Sequence, residues 1–223
     1  MNNKIASLID HTLLRPTAQK AEIIKLCEEA RKYNFASVCV NSYYVPLCIL
    51  ELKGSPVKVC TVVGFPLGMS STQVKMAETR YAMEEGAKEV DMVINIGALK
   101  DSNEDYLYHD IRTIAETVKS YGGILKVILE TTLLTDEEKI IGCKIARKAG
   151  ADFVKTSTGF AGGGATLHDV KLLKKYAYPL FVKASGGIKT LEQAQAMIDA
   201  GATRLGTSSG VDLMKGNVSN KEY

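Results

Sequence analysis

"GADFVK", residues 150–155, has two partial copies in this chain: "GAKEVD" at 86–91 and "GATRLG" at 201–206. Each opens with a glycine suited to the left-handed position that ends a helix, and each runs on into a short apolar strand. The helix before residue 150 is marked at its start by the capping-box spacing of Thr135 and Glu138. Along one face it carries Ile141, Ile145 and Ala149. The copies lie about two strand–helix units apart, so the repeat counts out a periodic α/β fold. Filling the intervals predicts strands near 8–11, 36–40, 57–63, 89–94, 124–129, 152–155, 180–183 and 204–206. Helices are expected near 18–32, 43–52, 72–85, 103–120, 136–149, 167–177, 190–200 and 209–215. Eight strands alternating with eight helices read as one (β/α)8 barrel, the TIM-barrel class, spanning residues 1–215 as a single domain. The end, "GNVSNKEY" at 216–223, is expected to be a flexible tail. A doubly wound open sheet is the alternative, but no G-x-G-x-x-G follows an early strand.

The repeat also sets register. Asp91, Lys155 and Gly206 each lie five residues after their repeat glycine, so they are expected at equivalent places on the fourth, sixth and eighth strands. Alternation puts Glu89 and Asp91 on one face, with Val90 and Met92 on the other. By the same rule Lys155 and Lys183 face the barrel mouth while Val154 and Val182 face the helices, and Ser37, Cys39 and Asn41 share the inner face. Polar groups therefore gather inside the top of the barrel, where active sites of this fold sit.

Two of those groups are lysines in near-identical settings, "FVKTSTGF" at 153–160 and "FVKASGGI" at 181–188. On neighbouring strands their backbones run about 5 Å apart. An ordinary lysine has a pKa of about 10.4, so roughly one in two thousand is an amine at pH 7. A second cation at about 4 Å, at an effective dielectric of about 20, contributes on the order of 4 kcal/mol against the charged form. That is the size of effect needed to free one amine for attack on a carbonyl. The other lysine must stay charged, which calls for a carboxylate, and Asp91 is the candidate. A plain ion pair between Asp91 and one lysine is the bland reading of a single strand-end lysine; the duplication argues for chemistry. Which lysine is the nucleophile stays open at this point.

Gly/Ser-rich loops follow the sixth, seventh and eighth strands: "TSTGFAGGG", "ASGG" and "GTSSG". Phosphate sites in these barrels use the last two, with the helix start beside them. Gly186, Gly187, Gly206, Ser208 and Ser209 are the candidate substrate-binding positions there, with Gly159 from the loop after the sixth strand. Cys39 is added as an inward-facing position, although with no base assigned to it the residue also reads as a small apolar filler. "DHT" at 10–12 is equivocal: Asp10 and Thr12 either reach the mouth or Asp10 begins a turn.

Bulk properties exclude several classes. The 223 residues are 46% hydrophobic and 24% charged, and the net charge of +3 is too small to argue for nucleic acid or membrane as partner. No run approaches the ~18 apolar residues of a membrane span, and "MNNKIASLIDHT" lacks a signal-peptide core. Five cysteines without C-x-x-C suit reduced thiols and a cytoplasmic location. The three histidines form no H-x-H or H-E-x-x-H spacing, so no metal is expected. No P-loop or G-x-S-x-G elbow occurs.

"DHTLL" (10–14), "SVCVN" (37–41), "TVVGFPLG" (61–68), "EVDMVINIGAL" (89–99), "KVILET" (126–131), "FVKTSTGF", "VKASGGI" and "GTSSG" together resemble the deoxyribose-phosphate aldolases, from Asp10 to about Lys215. The resemblance implies a cofactor-independent class I aldolase, acting on a phosphorylated sugar and aldehydes. It would cleave 2-deoxyribose 5-phosphate reversibly to acetaldehyde and glyceraldehyde 3-phosphate, in nucleoside and carbohydrate catabolism. It also implies roles: Lys155 as the Schiff-base residue, Lys183 as the neighbour that lowers its pKa, and Asp91 as acid/base of a proton relay. The iminium is then expected to act as electron sink for a C3–C4 cleavage. Some relatives carry lysine where this chain has Phe160, so phosphate recognition is expected to lean on neutral donors. The resemblance also implies that a C-terminal tyrosine, here Tyr223, can close over the site and assist proton transfer; from the residues alone it reads as an unstructured tip. Assembly is open between a homodimer and a homotetramer. Competing readings are another lysine-dependent sugar-phosphate aldolase or transaldolase on the same fold, or a non-catalytic sugar-phosphate sensor.

Overall fold

A computed structural model describes residues 2–219 of the chain. Eight parallel strands close into a barrel in sequence order: β1 Ile9–Leu13, β2 Ser37–Val40, β3 Lys58–Val63, β4 Glu89–Val93, β5 Ile124–Ile128, β6 Phe153–Lys155, β7 Phe181–Ser185 and β8 Arg204–Thr207. Pairing of β1 with β8 removes the open-sheet alternative. Around the barrel lie α1 Asn2–Ala6, α2 Lys20–Tyr33, α3 Val45–Glu51, α4 Thr72–Glu84, α5 Ile96–Lys100, α6 Glu104–Ser120, α7 Asp136–Ala149, α8 Leu167–Tyr176, α9 Leu191–Asp199 and α10 Gly210–Lys215. The expected elements are all present. The segment expected to be helical from 43 starts as a 3-10 turn at Ser42–Tyr44 before α3. The short α1 and α5 were not expected. Neither is long enough to display a periodic apolar face, and α5 announces itself only through Asn95, whose side chain accepts the Ala98 N–H.

Local chemistry explains the helix ends. Thr135 and Glu138 do form a capping box at the start of α7. The repeat glycines Gly86, Gly150 and Gly201 have φ of 104°, 87° and 117°, the left-handed turn that releases each helix into its strand. Outward residues Val38, Val40, Val90, Met92, Val154 and Val182 are buried in the main core between strands and helices. A second, small apolar cluster of Leu14, Cys39, Cys60 and Val62, with Phe65 packed on it, lies apart from that core.

Barrel stagger explains how distant residues come level. In the ladder, Asp91 is opposite Lys126, which is opposite Phe153, so Lys155 lies two residues further on. An eight-stranded barrel with a shear of about eight shifts by about one residue per strand, which brings Asp91 and Lys155 to one height. Following the same step around the ring gives three interior layers of four, the usual filling of this fold. The lowest is Ser37, Glu89, Phe153 and Arg204; the middle is Asp10, Cys60, Lys126 and Lys183; the top is Cys39, Asp91, Lys155 and Gly206. Bulky aliphatics normally dominate such layers. Here charged groups do.

Candidate active site

Lys155 and Lys183 are direct ladder partners on β6 and β7, as the duplicated motif implies. Between them stands the carboxylate of Asp91. Its Oδ2 accepts from Lys155 Nζ at 2.9 Å and Lys183 Nζ at 2.7 Å. Its Oδ1 accepts from Lys126 Nζ at 2.8 Å and from the Cys60 thiol at 3.2 Å. Lys126 also lies 2.7 Å from Glu89 Oε2 and 3.9 Å from Asp10 Oδ2. Asp10 is neither a turn residue nor a bystander. Its Oδ2 lies 2.5 Å from Lys183 Nζ, and its Oδ1 accepts from Ser37 Oγ at 2.6 Å and Arg204 Nη1 at 2.7 Å. The same Arg204 nitrogen is 2.8 Å from Glu89 Oε2, and the guanidinium stacks over Phe153. Exposure separates the lysines: Lys126 and Lys183 are 0% exposed, whereas Lys155 is 3% exposed.

The electrostatics follow from burial and partners. Burial works to raise the Asp91 carboxyl, but Lys126, Lys155 and Lys183 outweigh it and hold the group well below the carboxylate range. Asp10 is lowered in the same way: burial opposes, and Lys183, Lys126 and Arg204 prevail. For Lys183, desolvation alone would push the pKa down, yet Asp10 and Asp91 carry it well above the lysine range. Lys126 is likewise raised against burial, with Asp91 its strongest supporting charge. In the apolar cluster, the neighbouring Cys60 thiol lowers the Cys39 thiol against burial, and burial pushes Cys60 well up.

A cavity of about 140 Å³ opens among the glycine-rich loops, lined by Gly159, Gly186, Gly187, Ser208 and Ser209 together with Thr207 and Lys189. Gly206 sits below it in β8, paired with Ser185 and Asp10. Phe160 is exposed and meets Phe65 edge-on at 5.3 Å. A larger cavity of about 570 Å³ lies beside β1 and α2, shares Ser208, and includes none of the buried lysines. Tyr223 lies outside the described residues.

Sequence reasoning missed Lys126, Arg204 and Lys189, and left Asp10 undecided. Two signals were available. Lys126 is the one charged residue in "ILKVI", and Arg204 lies two residues before Gly206, hence on the same face.

Among the described residues, three clusters bring metal-ligating atoms within 4.8 Å of one another: Cys39, Cys60 and Asp91; Asp10, Cys60 and Glu89; and Asp136, His168 and Asp169. Lysines or Arg204 already hold the carboxylates of the first two. In the third, Lys139 Nζ is 2.7 Å from Asp169 and 3.0 Å from Asp136. No helix among the described residues is long and apolar enough to cross a membrane.

Comparison with known proteins identifies the family. Residues 4–216 match the model of the DeoC/LacD family aldolases. The chain is 56% identical, over the whole of both proteins, to a deoxyribose-phosphate aldolase of Geobacillus sp. (strain WCH70). It is 55% identical to one from Streptococcus sanguinis, covering 99% of this chain and all of that one. Among solved structures, a tetrameric deoxyribose phosphate aldolase from Aeropyrum pernix superposes with a TM-score of 0.91 at 36% identity, over 96% of this chain and 91% of that one. Matched nearly end to end by the family pattern and by relatives more than half identical to it, the chain belongs to the DeoC/LacD family of aldolases.

Proposed function

We propose that the chain is a class I deoxyribose-phosphate aldolase, a lyase in which Lys155 forms a Schiff base with 2-deoxyribose 5-phosphate. The observation that carries this reading is the ionic composition of the interior. Lys126, Lys183 and Arg204 face Asp10, Glu89 and Asp91, three cations against three anions. Lys155 is the fourth base, one more than the acids number, and it meets Asp91 at 2.9 Å. Among the three lysines of the barrel interior, Lys126, Lys155 and Lys183, it is also the only one with surface to offer a ligand.

The amine attacks C1 of the open-chain sugar, and loss of water gives an iminium. A two-carbon aldehyde and a three-carbon phosphate require the C2–C3 bond to break, which corrects the expected C3–C4 cleavage. A base takes the C3 hydroxyl proton as C3 becomes the aldehyde carbon of glyceraldehyde 3-phosphate. The C2–C3 electron pair flows into the iminium, leaving an enamine on Lys155. Protonation at C2 and hydrolysis release acetaldehyde. Asp91 and Lys183, in contact at 2.7 Å, form the relay for these protons, with water as the other participant. The depressed carboxylate of Asp91 also stabilises the positive iminium that forms 2.9 Å away, where the Lys155 nitrogen now stands.

The phosphate fits the cavity of about 140 Å³ lined by Gly186, Gly187, Ser208 and Ser209, residues whose backbone amides and hydroxyls are the kind of donor a phosphate takes. Lys189 adds a positive charge there, so the site does not depend on neutral donors alone. Five free, buried thiols suit a reducing cytoplasm. The test is borohydride reduction in the presence of acetaldehyde, followed by peptide mapping. An ethyl adduct on Lys155 is expected. Unmodified protein would refute the Schiff base, and an adduct confined to Lys183 would reverse the two roles.

A further inference from the structure

The loop after β5 contains a residue that the reaction as described does not use. Glu130 is 1% exposed, and its φ of 59° puts it in the left-handed region, one of three such non-glycine residues among those described. Glycine would occupy that conformation without steric cost. What glutamate adds is its carboxylate. Oε2 accepts the Thr158 N–H at 3.2 Å and also the Thr158 hydroxyl. The Thr158 oxygen in turn accepts the Phe160 N–H at 3.0 Å. A side chain on the β5–α7 loop therefore fixes three consecutive residues of the β6–α8 loop, and the middle one, Gly159, lines the phosphate-sized cavity.

A second set of contacts makes the same surface the floor of the rest of that loop. A Cβ on Gly163 would collide with Thr132, and one on Gly164 with the carbonyl of Gly186. Ala165 N–H then bonds to the carbonyls of Ser185 and Gly186 at 3.1 Å. The glycine-rich loop is thus laid from Glu130 across Thr132 to Gly186, and the strained glutamate pins the end nearest Lys155. Strain retained at a buried, hydrogen-bonded residue beside a site is a recognised mark of function.

We propose that Glu130 is a positioning residue: it presets the β6–α8 loop so that Gly159 completes the phosphate cavity and Phe160 meets Phe65, and it thereby sets the preference for phosphorylated over unphosphorylated sugar. This rests on the phosphate reading above. The experiment compares Glu130→Ala, Glu130→Gln and Thr158→Val with the parent chain. It measures kcat and KM for 2-deoxyribose 5-phosphate and for 2-deoxyribose, together with acetaldehyde trapping on Lys155.

Loss of hydrogen bonds to a charged acceptor is worth roughly a factor of ten or more. Glu130→Ala should accordingly lower the phosphorylated-to-unphosphorylated ratio of kcat/KM about tenfold, through KM, while trapping persists. Glu130→Gln keeps an amide oxygen for Thr158 and should hold the ratio near the parent value. Thr158→Val leaves Glu130 in place and should lower the ratio by less, which carries the test if the alanine variant does not fold. A parent-like ratio in both Glu130→Ala and Thr158→Val overturns the proposal. So does a parallel loss of both substrates and of trapping, the signature of a merely structural clamp, and so does a glutamine variant that behaves as the alanine one. A parent chain without preference for the phosphorylated sugar would remove the phosphate assignment and this proposal with it, whereas a preference that survives Glu130→Ala removes only this one.

Discussion

Replacing Lys183 by methionine keeps most of the side-chain volume and deletes one positive charge beside the proposed nucleophile. Both lysine nitrogens touch the same oxygen of Asp91, at 2.9 Å and 2.7 Å, so they lie no farther apart than those two distances laid end to end. At about 5 Å and an effective dielectric of about 20, one unit charge acts on another with about 3 kcal/mol. That corresponds to about two pH units. The sign is fixed: removing the neighbouring cation removes a repulsion against positive charge at that nitrogen, so imine formation should need a higher pH. Asp10 would also lose its 2.5 Å partner, and its uncompensated charge acts in the same direction. Turnover is the wrong readout, because Lys183 also takes part in proton transfer. Acetaldehyde trapping by borohydride requires only imine formation, and its extent can be followed by mass spectrometry from about pH 5 to 9. Its midpoint should rise by one to two units, on the order of the Coulomb figure above. A double variant, Lys183→Met with Asp10→Asn, removes one charge of each sign and should bring the midpoint part of the way back. A midpoint that does not move in the single variant would refute electrostatic crowding as the source of the reactive amine.

Other outcomes are as specific. Asp10 and Asp91 are both held below the ordinary carboxylate value of about 4, so the folded state binds fewer protons than the unfolded chain near that pH. The stability they provide should be complete above about pH 4–5 and drain away as pH falls through their folded values, which urea unfolding across acid pH will register; Asp10→Asn should flatten that acid limb. Lys75 and Asp110, 2.6 Å apart and both 0% exposed, tie α4 to α6 away from the active site. Lys75→Met should cost about 3–5 kcal/mol, lowering Tm by roughly 6–20 °C with activity per folded molecule unchanged, and Lys75→Met with Asp110→Leu should recover much of it. Ser208→Asp places a carboxylate in the phosphate cavity; KM for the phosphorylated sugar should rise about tenfold or more while acetaldehyde trapping is retained.

The legible parts of this fold were those written in a period. Three glycine-led copies fixed strand boundaries and put Asp91, Lys155 and Gly206 on equivalent positions, and barrel stagger does bring those three into one layer. Asp10, Lys126 and Arg204 have no repeat to announce them. Asp10 begins "DHTLL" like a turn residue, Lys126 sits in an apolar run where one lysine looks incidental, and Arg204 opens its strand where a base would ordinarily reach solvent. Their roles become visible only when β1 meets β8 and the stagger is known, because each is defined by partners on other strands. Glu130 was illegible for a further reason: nothing in "ILETT" signals a left-handed backbone at a glutamate.

The division of charge inside the barrel has a consequence for how the molecule is assembled. Every acid of the ionic network, Asp10, Glu89 and Asp91, comes from the first four strands, and every base, Lys126, Lys155, Lys183 and Arg204, from the last four. Neither half of the chain could dry its own inner face, one being left with stranded anions and the other with stranded cations. The two halves are thus complementary electrodes, and the reactive centre is the junction between them. A carbonyl-trapping amine at position 155 would then report that the first strand has found the last.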